Sequence, residues 1–215
     1  MRRSILDGLL VLDCEIKKMV PMAGEERLPS ASYCAGWGDK EGMGISVCGV
    51  KSYITDAHRV FLDDNRYDLA ALAAASLGLV TFNGINFDLP LIRACWNIEL
   101  SGLVQIDLKD MVAQALNLDP RQYQRGYSLD GLLAANGLAA KPGDSVLAPL
   151  QWQRGEFGRV IDKCLGDVDR TEQLFELATF SPLKDPNGGA DIDLRPMIDA
   201  AFDNMDNKSI QGGAS

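Results

Sequence analysis

Two acids two residues apart end an apolar run in Leu10-Val11-Leu12-Asp13-Cys14-Glu15, and a third follows another apolar run in Val80-Thr81-Phe82-Asn83-Gly84-Ile85-Asn86-Phe87-Asp88-Leu89-Pro90. Side chains alternate across a strand, so Asp13 and Glu15 project from one face. Their like charges repel. A fold accepts that cost when a divalent cation neutralises them, and oxygen donors of this kind suit Mg²⁺ or Mn²⁺. Taken singly, each segment also has a plainer reading: a solvated strand end for Asp13 and Glu15, and an ordinary turn for Asn83-Gly84, where both residues tolerate positive φ. The two together are much rarer.

A third segment, Lys163-Cys164-Leu165-Gly166-Asp167-Val168 with Thr171 beyond it, lies in a helical pattern over residues 157–178. Ile161, Cys164, Leu165 and Val168 form its apolar stripe, which leaves Lys163 and Asp167 one turn apart on a neighbouring face. Asp169 is only two residues beyond Asp167 and cannot share that face, so Asp167 is the candidate. Asp107, at the end of Val104-Gln105-Ile106, reads as a helix N-cap rather than a ligand.

In this order the three segments resemble the DEDD superfamily of 3′-to-5′ exonucleases, which have an RNase H-like fold. The closest likeness is to the proofreading-type exonuclease domains of family-B DNA polymerases. It runs from about Leu9 to Leu177. That family carries Asp-x-Glu, then Asn-Gly-x-x-Phe-Asp-x-Pro, then Tyr-x-x-x-Asp-Val-x-x-Thr, and Asp13, Glu15, Asp88 and Asp167 fall on its four acidic positions. The middle motif is the most specific. The chain departs at the tyrosine, whose place is held by Lys163. The family's histidine variant does not fit either, because Asp162 stands five before Asp167 and His58 is the only histidine.

The resemblance implies a metal-dependent exonuclease acting on the free 3′ end of single-stranded nucleic acid, DNA favoured over RNA, in repair or proofreading. It also implies two divalent ions, Mg²⁺ or Mn²⁺, ~4 Å apart. Asp13 would bridge them, Glu15 and Asp167 would hold the ion carrying the attacking water, and Asp88 would support the second. Lys163 stands where a phenol would position the water. It could donate to the water or phosphate, act as a base, or simply pair with Asp167. The missing tyrosine and the acidic charge prompt a competing reading, a noncatalytic module of the same fold that binds nucleic acid or a protein. Retention of four mutually repelling acids speaks against it. A polymerase partner has no support in the sequence.

Positioning these residues calls for an α/β fold. Residues 5–16 read as a central strand, and 44–54 and 59–62 as strands that pair with it in an antiparallel meander. A helix over 67–77 ended by Gly78, a strand over 79–82, a helix over 87–96, a strand over 104–107 and helices over 107–116 and 128–136 follow. The expected architecture is a mixed five-stranded sheet, meander first and parallel strands after, flanked by helices. Residues 17–32, broken by Pro21, Gly24 and Pro29, read as a loop that either covers the site or is disordered. Residues 139–155 read as irregular, anchored by Trp152.

Other residues are candidates for substrate contact. Asn83 could bond the backbone of its turn, and Phe87 could pack in the core or wedge near a terminal base. Arg121, Tyr123, Arg125 and Tyr127 interleave charge and rings in one loop. That composition suits a single strand, and suits equally a solvated loop with half-buried rings.

Charge and composition narrow the class. A net charge of −9 argues against broad binding to duplex DNA but not against a nuclease, because bound cations reverse the local field. Five cysteines without a C-x-x-C pair, and one histidine, exclude a recognisable structural zinc site and read as reduced thiols of a cytoplasmic protein. Met1-Arg2-Arg3 does not open a secretion signal, since Asp7 and Asp13 interrupt the apolar run, and no stretch approaches the ~20 apolar residues of a membrane span. At 215 residues and 47% hydrophobic, the chain can bury one core. Residues 1–180 are expected to form it. Residues 181–215, with six Asp against Lys184, Arg195 and Lys208, read as an acidic flexible tail in which 196–205 could form a short helix.

Overall fold

A computed structural model of the chain describes residues 6–24, 26–119, 121–122, 125–139 and 147–212. Five strands form one sheet: β1 (Leu9–Ile16), β2 (Ile45–Ser52), β3 (Ala57–Phe61), β4 (Gly78–Thr81) and β5 (Val104–Asp107), in the order β3-β2-β1-β4-β5. β1 runs antiparallel to β2 and parallel to β4; β3 is antiparallel to β2 and β5 parallel to β4. The meander followed by parallel strands is as the sequence predicts.

Leu9, Leu10, Val11 and Leu12 are all buried, so β1 has an apolar side chain on each face and needs a helical layer on both. On one face Leu10, Leu12 and Cys14 pack with α1 (Lys40–Met43), α2 (Arg66–Ala74) and α3 (Asp88–Trp96) through Met43, Leu69, Leu91, Ile92 and Trp96. On the other, Leu9, Val11, Val80 and Ile106 meet α4 (Leu108–Ala115), α5 (Leu129–Ala135), α7 (Phe157–Phe180) and α8 (Arg195–Gly212). The short α6 (Ala148–Gln153) packs with α7 over Val47. Among the described residues no helix is long and apolar enough to cross a membrane.

Three expectations change. The segment after residue 180 is no loose tail: Leu183, Ile192, Leu194, Ile198, Ala201, Phe202 and Met205 are buried in the same core as β1, and Leu183 and Ile192 exchange backbone hydrogen bonds of 2.8 and 2.7 Å. Ile198, Ala201, Phe202 and Met205 recur at three-to-four spacing and make α8 amphipathic, whereas Asp191, Asp193, Asp199 and Asp203 are exposed. Counting charge alone hid that stripe. Gly78 does not cap α2 but opens β4; a Cβ there would lie 2.8 Å from Met205 Sδ and 2.9 Å from Leu9 Cδ2, so close packing against α8 is its reason. Within the stretch read as irregular, α6 forms with a proline in its first turn, where a missing N–H costs little.

Candidate metal centre

β1 and α7 build the centre. Side-chain oxygens of Asp13, Glu15 and Asp167 lie within 4.8 Å of one another and could together hold a metal ion. Strand alternation accounts for the first two. The third depends on how closely α7 approaches the sheet: Asp13 pairs across the ladder with Gly49, where a Cβ would stand 3.0 Å from Cys164 Sγ and 3.2 Å from Leu165 Cδ2. A side chain there would crowd the α7 side chains that rest on the sheet. Cys164 in turn donates its thiol to the carbonyl of Asp13 at 3.3 Å.

Asp88 reaches the same cleft by another route. After β4 the chain turns at Asn83, with φ of 70°, and Phe87 N–H donates to the Asn83 carbonyl at 3.0 Å before α3 begins. Asp88 is buried in the first turn, and its Oδ1 accepts the backbone N–H of Cys14 at 2.9 Å, which fastens α3 to β1 between the two strand acids. Asp13, Glu15, Asp88, Lys163 and Asp167 all line one cleft of about 420 Å³.

The electrostatics are costly. Burial, then repulsion from Asp88 and Glu15, holds the Asp13 carboxyl well above the usual carboxylate range. Asp88 is pushed up to about 7, chiefly by burial, with the Cys14 N–H offsetting part of the rise.

Two cations answer this charge. Lys163 Nζ donates to Glu15 Oε1 and, at 3.0 Å, to Asp167 Oδ2. The pairing with Asp167 is the one the four-residue spacing offered, and it is largely buried: the two side chains are 15% and 14% exposed. The other Asp167 oxygen pairs with Arg170, which also lies 3.6 Å from Asp130. Sequence reasoning missed Arg170, although its place three residues after Asp167 was the available signal.

The remaining candidates divide. Asn83 lines the cleft, but its side chain accepts from Lys109 Nζ at 3.2 Å rather than bonding the turn's backbone. Phe87 both packs and lines the cleft, with Lys40 Nζ 4.2 Å from its ring centroid. Asp169 points elsewhere and pairs with His58 at 2.6 Å. Asp107 is the N-cap expected of it, accepting from the backbone N–H of Lys109 and Asp110.

The described residues of the arginine-tyrosine loop are not brought to the cleft. Neither Arg121, Arg125 nor Tyr127 lines the cleft, and Tyr123 lies outside the described residues. The loop is tied instead to the segment before α8: the Tyr127 hydroxyl donates to Asp185 at 2.8 Å and Asn187 Nδ2 to the Arg125 carbonyl at 3.0 Å. Met19, Val20 and Met22, from the loop over 17–32 for which covering the site was one of the two expectations, line the cleft together with Trp37, which the sequence did not nominate. No family model matches the chain, and no curated protein matches it.

Proposed function

We propose that this chain is a metal-dependent 3′-to-5′ exonuclease hydrolysing phosphodiester bonds at the 3′ end of single-stranded nucleic acid, DNA favoured over RNA. One observation carries the reading. Carboxylates from three separate elements, Asp13 and Glu15 on β1, Asp88 on α3 and Asp167 on α7, meet in one cleft although burial and mutual repulsion oppose it. The strand order and directions support an RNase H-like fold, and the four acids keep the order found in DEDD exonucleases.

The donor set fits Mg²⁺ or Mn²⁺, since hard cations take carboxylate oxygens and their charge offsets the burial and the repulsion from Asp88 and Glu15 that raise Asp13, and the burial that raises Asp88. Asp13, Glu15 and Asp167 would hold one ion, and Asp88 would support a second beside Asp13. Bound there, such ions supply an activated water and stabilise charge on the phosphate and the departing 3′ oxygen. The protein's own part is positioning. Lys163 keeps Glu15 and Asp167 together and presents positive charge to an incoming phosphate, which four acids alone would repel. Arg170 orients Asp167 from the far side, and the Cys14 N–H orients Asp88.

The pairing of Lys163 and Arg170 with two of the four acids favours a second reading, a non-hydrolytic nucleic-acid module whose carboxylates are already neutralised. End-labelled single strands of DNA and RNA, incubated with Mg²⁺, with Mn²⁺ and with chelator, separate the two. Stepwise shortening from the 3′ end in metal, abolished by chelator, is expected. Binding without shortening in either metal would overturn the exonuclease reading in favour of the second.

A further inference from the structure

The cleft has two unlike kinds of lining. Acids and Lys163 supply one; Met19, Val20, Met22 and Trp37, all from the segment between β1 and α1, supply the other. Trp37 is 58% exposed and Met22 48%, so large apolar groups stand in water at the mouth of a charged site. Single exposed apolar residues are common. These differ in being held in place.

Met19 N–H donates to the Ser32 carbonyl and Cys34 N–H to the Met19 carbonyl, each at 3.0 Å, which joins the two limbs of the segment. Gln153 of α6 fastens both limbs to the body, donating to the carbonyls of Lys17 at 2.9 Å and Ser32 at 3.0 Å and accepting from Ser32 N–H at 2.6 Å. Asp39 closes the turn that carries Trp37, its carboxylate accepting from Ala35 N–H at 2.8 Å and Gly42 N–H at 2.9 Å. The indole meets Phe87, the neighbour of Asp88, in an edge-to-face contact with centroids 6.2 Å apart. An aromatic plane is thus preorganised beside the carboxylates, and preorganisation is what keeps the ordering cost of binding low.

A ligand that fits both kinds of lining needs an anionic group to meet the cation-binding acids and a flat apolar group to meet the indole. A nucleotide at a strand end has both. We propose that Trp37 is the stacking platform for the 3′-terminal base, with Met19, Val20 and Met22 beside it, and that it makes the cleft favour a purine over a pyrimidine there. This rests on the cleft being the nucleic-acid site. Stacking needs only a π-face and grows with the overlapped area, so the larger base binds tighter.

Anisotropy titrations of 5′-fluorescein single strands in Ca²⁺ test this, with strand integrity checked on a gel. The strands are identical except for a 3′ residue that is adenine, thymine or abasic, each in deoxyribose and ribose form. Wild-type protein is expected to bind the adenine end about tenfold more tightly than the abasic end, the size of one lost stacking contact, with thymine between. Trp37→Ala should bind all three alike, at the abasic level, and Trp37→Phe should restore part of the preference. Because Trp37 is exposed, the melting temperature of both variants should stay at the wild-type value. Trp37→Ala retaining the wild-type difference between adenine and abasic ends would overturn the proposal, as would wild-type binding indifferent to the terminal base. A strand-shortening assay in Mn²⁺ keeps the two readings apart. Shortening with base-indifferent binding removes only the role of Trp37, whereas Trp37-dependent preference without shortening removes only the hydrolysis.

Discussion

Asp88 and Asp107 both stand where a parallel strand gives way to the next helix, Asp107 as the last residue of β5 and Asp88 as the first residue of α3 beyond the turn that leaves β4, and they are about equally buried, at 3% and 2% exposure. Their surroundings differ. Asp107 accepts four backbone N–H groups: Asn83 and Ile85 at 2.9 Å, Lys109 at 3.1 Å and Asp110 at 3.2 Å. It therefore pins the turn that delivers Asp88 and caps α4 at the same time. Asp88 instead faces the cleft that Asp13 and Glu15 also line. Burial raises both carboxyls, so neither burial nor a raised pKa separates a structural acid from a functional one. The partners do.

Replacing these acids breaks the comparison most strongly. Asp13→Ala or Asp167→Ala should abolish metal-dependent cleavage with an unchanged circular dichroism spectrum. Asp107→Ala should do the reverse: it orphans four N–H groups and lowers stability by about 2–4 kcal/mol in chemical denaturation, while cleavage at low temperature survives. Wild-type cleavage by Asp13→Ala, or wild-type stability of Asp107→Ala, would show that the two roles are wrongly assigned.

Lys163 sharpens the functional side. Lys163→Met should reduce turnover by roughly 10²-fold, as expected for a positioned charge at the reacting group. It should also tighten Mn²⁺ binding in calorimetry, because Glu15 and Asp167 lose an internal competitor. Turnover within about threefold of wild type between about pH 6 and about pH 9 would reduce Lys163 to a structural counter-ion.

A smaller effect is expected in the pH dependence of stability. The Asp88 carboxyl has an ordinary value of 3.8 and a folded value of about 7, so the native state holds the extra proton between them. That contribution is present below 3.8 and is lost as pH rises through about 7. In chelator the melting temperature should therefore fall from about pH 5 to about pH 8, and Asp88→Asn should flatten the fall. Millimolar Mn²⁺ should raise the midpoint most at the alkaline end, where the carboxylates are charged. A midpoint indifferent to saturating Mn²⁺ would count against a preformed centre.

The smallest change is expected outside the cleft. Arg121→Ala with Arg125→Ala should alter single-strand affinity by no more than about twofold and leave the salt slope intact, since few counterions are released there. A tenfold loss would return the loop to the substrate and weaken the contrast between the Trp37 wall and the rest of the surface.

Short-range features of this molecule were legible in its sequence. Alternation put Asp13 and Glu15 on one face, a four-residue spacing put Lys163 beside Asp167, and Asp107 signalled the helix start it caps. Each depends on a period or a cap spanning one turn or one strand, which neighbouring residues encode. Other features were decided by residues far apart in the chain. Lys163 reaches Glu15 across 148 positions, and Gly49 decides how near α7 can come. Gln153 secures a wall built from residues after β1, and α8 completes the core that residues 1–180 were expected to form alone. No local period carries such information, because apolar stripes and hydrogen-bond donors specify that a face must be covered and leave the choice of covering segment to tertiary packing.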